Sequence, residues 1–183
     1  MRKVLFILGE LSEGDLDWLM AAGRTRRVAP GEAIIREGEP LETMFLIADG
    51  SFSVVVKGNE VARLASGEVA GDMSLLDSRP PNATVQAVET GTVFAVPHDT
   101  FRAKLRSDTG FGSRFYRALC LFLADRLGRT TTLVARDGLN VPATTDGDDD
   151  DGELSPELLD NVSLAGARFD RFLERIGQHR GDG

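Results

Sequence analysis

The chain has 183 residues, 42% of them apolar and ten of them Phe, enough for one domain with a real core plus an appendage. Residues 1–130 hold 17 acidic and 16 basic side chains and residues 131–183 hold 12 and 5, so nearly all of the net charge of −8 lies in the tail. A near-neutral body lacks the basic footprint that supplies most nucleic-acid affinity, which argues against a DNA or RNA partner.

The opening MRKVLFILGE joins a basic pair to an apolar run, Val4 to Leu8. That run is too short for a signal-peptide core or a membrane span, and no small-residue cleavage pattern follows it. It predicts a strand or helix packed on the body of a soluble, cytoplasmic protein with no membrane partner. Ser12, with Asp15 three residues on, predicts a capped helix over Glu13 to Ala22, with Leu16, Leu19 and Met20 on its apolar face and Gly23 as its stop.

From Arg26 the texture changes to short β-prone runs: Val28, Ile34-Ile35, Met44 to Ala48, Phe52 to Val56, Val61 to Leu64, Val85 to Val88 and Val93 to Val96. Glycine-containing turns at Gly31, Gly38, Gly50, Gly58, Gly67, Gly71 and Gly91 separate them. Short strands at a spacing of about 8–12 residues predict a sandwich or jelly-roll barrel.

Helical texture returns after Pro97, first over His98 to Arg106 and then, after a break at Ser107 to Gly110, over Phe111 to Arg129. The second helix is apolar on more than one side, so one face lies on the barrel and the other requires a second subunit or the tail. Phe115, Leu119 and Phe122 are the candidate central contact of a homodimer, the commonest closed assembly. The lone Cys120, flanked by Ala118, Leu119, Leu121 and Phe122, is expected as a buried thiol.

Residues 131–154 read as an acidic, flexible linker. Its run Asp148 to Asp151 is read as a solvated spacer rather than a metal site, because no calcium-loop pattern accompanies it. Ser155-Pro156-Glu157 then starts a helix over 155–178, whose stripe Leu158, Val162, Ala165, Phe169, Phe172, Ile176 steps by heptad-like spacings. Such a stripe is expected to dock on its own or a sister domain, with an external protein partner for the helix 156–177 as the alternative.

The segment PGEAIIREGEPLETMFLIADGSFSVVV, Pro30 to Val56, resembles the first half of cyclic nucleotide-binding domains of the catabolite-activator type and of cyclic-nucleotide-regulated kinases and channels. Gly31, Ile35, Gly38, Phe45, Ile47 and Gly50 carry that resemblance. GDMSLLDSRPPNATV, Gly71 to Val85, is similar to the family's phosphate-binding cassette, which runs G-E-x-x-L and closes on R-x-A-x-V. The resemblance covers about residues 12–130. It implies a mainly β fold with flanking helices: a jelly-roll-like cyclic nucleotide-binding β-barrel at about 26–97, B and C helices at about 98–129, and C-terminal helices beyond. The domain is then 1–130.

The resemblance also implies a ligand site at Gly71, Asp72, the amides of Met73 and Ser74, Arg79, Asn82, Ala83 and Thr84. Asp72 stands for the acid that takes the ribose hydroxyl, one methylene shorter than the family's Glu, and a helix N-cap is an equal reading of it. Pro81 occupies the place of the phosphate-binding arginine, with neither charge nor backbone donor. Losing that contact costs roughly 1.5–3 kcal/mol. Arg79 is the substitute at hand, against the plainer reading of an exposed arginine beside a Pro-Pro turn; Asn82 is either a donor to the ligand or turn chemistry.

Two functions follow. One is a non-enzymatic regulatory or assembly protein that acts through protein–protein contacts and uses no cofactor. The other is a sensor that binds cyclic AMP, cyclic GMP or another anion in the modified cassette. A winged-helix output domain needs three helices and a basic face, which the acidic tail does not offer. His98 and His179 are the only histidines, so the ligand cluster of a barrel metalloenzyme is missing, and no catalytic set takes its place.

Overall fold

A computed structural model describes residues 3–77, 79–138 and 156–178. The N-terminal apolar run is a helix, α1 (Lys3–Glu10), burying Val4, Phe6, Ile7 and Leu8. Helix α2 (Glu13–Ala22) starts with the expected capping box: the Ser12 hydroxyl accepts from the Asp15 amide at 3.3 Å, and the Ser12 amide donates to Asp15 at 2.8 Å. Gly23 ends α2 in an extended conformation, φ −106°, so left-handed backbone is not why it is glycine. A Cβ there would lie 2.2 Å from the Phe94 ring.

Eight strands follow: β1 (Arg24–Val28), β2 (Ala33–Ile35), β3 (Thr43–Asp49), β4 (Phe52–Val56), β5 (Asn59–Leu64), β6 (Val69–Ala70), β7 (Thr84–Ala87) and β8 (Gly91–Pro97). They form two antiparallel sheets, ordered β1-β8-β3-β6 and β2-β7-β4-β5. This is the expected jelly-roll. Val28, Ile35, Phe45, Ile47, Phe52 and Val93 are among the side chains that fill the space between the sheets. β3 is buried from Met44 to Ala48 because it is covered on both faces. Phe45 and Ile47 point into the roll, while Met44, Leu46 and Ala48 join the helices.

That second core lies on the outer face of the first sheet. It is built by α1, α2, α4 (His98–Ser107), α5 (Thr109–Gly138) and α6 (Pro156–Gln178). The remaining helix, α3 (Asp72–Asp77), follows β6. Phe101 of α4 sits 4.7 Å from Phe115 and 5.5 Å from Phe111 between ring centroids, and Trp18 of α2 closes on Phe111 at 5.1 Å. Beside them Arg114 holds Asp15 with two hydrogen bonds, 2.7 and 3.1 Å. Burial raises the Asp15 carboxyl, but hydrogen bonds from Arg114 and Ser12, with the Arg114 charge, bring it below the usual carboxylate range.

Three expectations change here. Phe115 and Leu119, expected at a subunit contact, are buried in the chain's own core, and Phe122 is half-buried, edge-on to Phe6 at 5.9 Å. Phe101 of α4 covers Phe115, and Phe6 of α1 covers Phe122. Cys120 is exposed, since its apolar neighbours in sequence point to other sides of the helix. Helix α5 runs to Gly138, into the segment read as linker. The acidic run Asp148 to Asp151 and His179 lie outside the described residues, as do the side chains of Leu158 and Val162. The rest of the α6 stripe, Ala165, Phe169, Phe172 and Ile176, is buried against the same chain, with Phe172 edge-on to Phe94 at 5.0 Å. Among the described residues no helix is long and apolar enough to cross a membrane.

Candidate functional site

The cassette begins where β6 ends. Gly71 has φ +84°, and a Cβ on it would stand 2.7 Å from the Thr43 carbonyl oxygen, so both handedness and space require glycine. Its carbonyl accepts a hydrogen bond from His98 Nε2 at 3.1 Å. His98, wholly buried at the start of α4, also donates its amide to the Glu42 carbonyl at 2.8 Å. One turn on, Arg102 donates to the carbonyls of Ser74 at 3.0 Å and Leu75 at 3.3 Å. Helix α4 therefore grips the cassette at Gly71 and along α3.

Burial and the Arg102 charge push the His98 imidazole below its ordinary range. The Gly71 and Leu41 carbonyls and Asp99 oppose this without prevailing. With Nε2 donating to Gly71, neutral His98 carries its lone pair on Nδ1, which is buried with no hydrogen-bond partner.

Asp72 is the first residue of α3 and is buried. Its carboxylate forms an ion pair with Nζ of Lys3 on α1, and that ammonium also stands 4.8 Å from the centroid of the Phe122 ring on α5. The carboxylate is thus turned to α1, and the expected N-cap role gives way to this long-range pair. Ser74, also buried, donates its hydroxyl to the Arg79 carbonyl at 2.9 Å. Met73 is exposed on the other side of α3.

Arg79 does not turn inward. Its Nε bonds Asp77 Oδ2 at 2.6 Å, with the side chain 79% exposed. The Arg79 amide and guanidinium in turn hold the Asp77 carboxyl below the usual range. Pro81 is half-buried, and its carbonyl accepts the Gly38 amide at 2.8 Å. Asn82 is exposed and Ala83 half-buried. Thr84 opens β7, and its hydroxyl accepts the Glu37 amide at 3.0 Å. The structure thus gathers Asp72 and Ser74 with Lys3, His98 and Arg102, and leaves Arg79 and Asn82 at the surface.

Lys3, His98 and Arg102 were not legible as site residues. For the last two a signal was present: His and Arg at i, i+4 share one helix face, directly after a strand. Lys3 gave none, lying 69 residues from its partner.

Residues 25–108 match the family model of the cyclic nucleotide-binding domain. Over 105 residues the chain is 30% identical to the cGMP-dependent protein kinase of Toxoplasma gondii, covering 57% of this chain and 11% of that one. Over 117 residues it is 26% identical to the cAMP-dependent protein kinase type II regulatory subunit of Drosophila melanogaster, covering 64% and 31%. The chain therefore spans about a tenth to a third of these curated relatives' length. Among solved structures, a cyclic nucleotide-binding domain from Methylobacillus flagellatus has the same fold, with a TM-score of 0.63 over 79% of this chain and 85% of that one at 19% identity. The matched segment, residues 25–108, coincides with the two-sheet roll, the α3 cassette and α4, so this part of the chain is similar to the cyclic nucleotide-binding domain in both sequence and fold.

Proposed function

We propose that the chain is a non-enzymatic regulatory module whose cassette is closed on its own N-terminal helix and whose output passes through protein contacts of its helices. The observation that carries this reading is the Lys3–Asp72 pair. The acid that would take a ribose hydroxyl is already neutralised and buried. A nucleotide entering there has to displace an ammonium from a carboxylate, and its phosphate meets Pro81 rather than a guanidinium. Arg79, bound to Asp77, supports the same reading.

The names of the kinase relatives favour a second reading, a nucleotide sensor. It requires Arg79 to leave Asp77 and Lys3 to leave Asp72. Thermal unfolding with millimolar cyclic AMP or cyclic GMP separates the two. A ligand at about a hundred times its dissociation constant stabilises a protein by about 2.7 kcal/mol, which moves the midpoint by several degrees. The closed-cassette reading expects no shift; a shift of several degrees with either nucleotide overturns it.

A further inference from the structure

Helix α1 has only eight residues, too few to be stable alone, and it is gripped at both ends. At its N-terminal end Lys3 holds Asp72 of the cassette, and the Val4 amide donates to the Gly67 carbonyl at 3.0 Å. At its C-terminal end one guanidinium of α6 takes the carbonyls that a helix leaves unpaired. Arg168 Nη1 donates to Leu8 at 2.7 Å, Gly9 at 3.3 Å and Leu11 at 2.8 Å, while its Nε bonds Glu13 at 3.0 Å. Between the two ends, Phe6 rests on Phe122 of α5.

We propose that α1 couples α6 to the cassette: a partner that takes up α6 releases Asp72 from Lys3, and an occupant of the cassette that claims Asp72 loosens α6. This rests on the reading of the cassette as closed by Lys3. Because the coupling is a free energy shared by two sites, it acts equally in both directions. The partner's chemistry follows from what α6 gives up. Its buried stripe Ala165, Phe169, Phe172, Ile176 is bordered by arginines that face carboxylates of α2, Arg168 on Glu13 and Arg175 on Asp17 at 2.9 Å. A competitor for α6 therefore presents an apolar groove rimmed by carboxylates.

Amide hydrogen exchange on the full chain without nucleotide tests the coupling. Glu13→Gln removes an exposed carboxylate that touches Arg168 and Arg171 of α6. It is expected to speed exchange in α6 and also in residues 4–10 and 72–77, by about fivefold or more. Lys3→Met is expected to speed exchange at 165–176 by a similar factor, while amides of β3 and β8 remain the slowest to exchange and report an intact fold. Arg168→Lys, which keeps the charge and loses the fork, gives the same pattern at smaller amplitude. If Glu13→Gln alters only α2 and α6, and Lys3→Met only α1 and α3, the coupling is refuted. No nucleotide is present, so a failure here is distinct from a failure of the closed-cassette reading, which the nucleotide experiment reports.

Discussion

Lys3 and Asp72 stand 69 residues apart in sequence and meet as a buried ion pair, their side chains 9% and 12% exposed. Taking two charges out of water is costly, and this pair is supported by the Phe122 ring beneath the ammonium. Removing one partner leaves the other charged and unpaired. Lys3→Met or Asp72→Ala is therefore expected to cost about 3 kcal/mol in urea unfolding. The double variant Lys3→Met/Asp72→Leu is expected to recover most of that loss, and a strictly additive cycle would show that the pair does not act as a unit.

On the closed-cassette reading a nucleotide meets two separate obstacles, the bound Asp72 and the missing guanidinium at Pro81. Pro81→Arg alone restores only the phosphate contact. Pro81→Arg combined with Lys3→Met is expected to bind cyclic AMP at least about tenfold more tightly than either single variant. Equal affinities in the single and double variants would show that Lys3 does not compete for Asp72.

His98 gives the fold a pH dependence with a definite sign. Its folded-state pKa lies below the ordinary value, so the unfolded chain binds the proton more readily. Its stability contribution is complete above about pH 6.5 and is lost as pH falls from there toward the folded-state value. His98→Gln, whose amide nitrogen is able to donate to Gly71, removes the titration. The variant's urea midpoint is expected to change less than wild type between about pH 7 and about pH 5. Parallel profiles would locate the pH dependence elsewhere.

Gly23 and Gly14 offer a matched pair. At Gly23 an alanine Cβ meets the Phe94 ring, which is itself buried and locked against Phe172. Gly23→Ala is expected to destabilise by about 1–3 kcal/mol. At Gly14, inside α2, nothing lies within 4 Å of a new Cβ. Gly14→Ala is expected to stabilise by up to about 1 kcal/mol through helix propensity. Thermal midpoints that move the same way in both would contradict the Gly23 contact.

Local physics was legible in the sequence and long-range pairing was not. The Ser12/Asp15 box could be read because a cap involves residues three apart, and the strands could be read because each is bounded by turn residues. β6, two residues long, is shorter than any alternating pattern and was not visible. Cys120 is exposed despite its apolar sequence neighbours because neighbours in a helical sequence occupy different faces in space. The cover on Phe115 and Leu119 comes from a core shared with α1, α2, α4 and α6, and the run Val4 to Leu8 leaves the helical state of α1 open. Within the cassette the departures at Asp72 and Pro81 were plain from residue type. What holds Asp72 was not, since a lysine so far away along the chain leaves no periodic trace.

Isothermal titration of the intact chain with cyclic AMP and cyclic GMP, alongside Asp72→Ala, tests the closed cassette most directly. With Asp72 held by Lys3 and Pro81 in place of the arginine, millimolar nucleotide is expected to give no saturable heat with either protein. Tight binding by the intact chain that disappears in Asp72→Ala would show that the carboxylate is free for a ribose, and the closed-cassette account would be wrong.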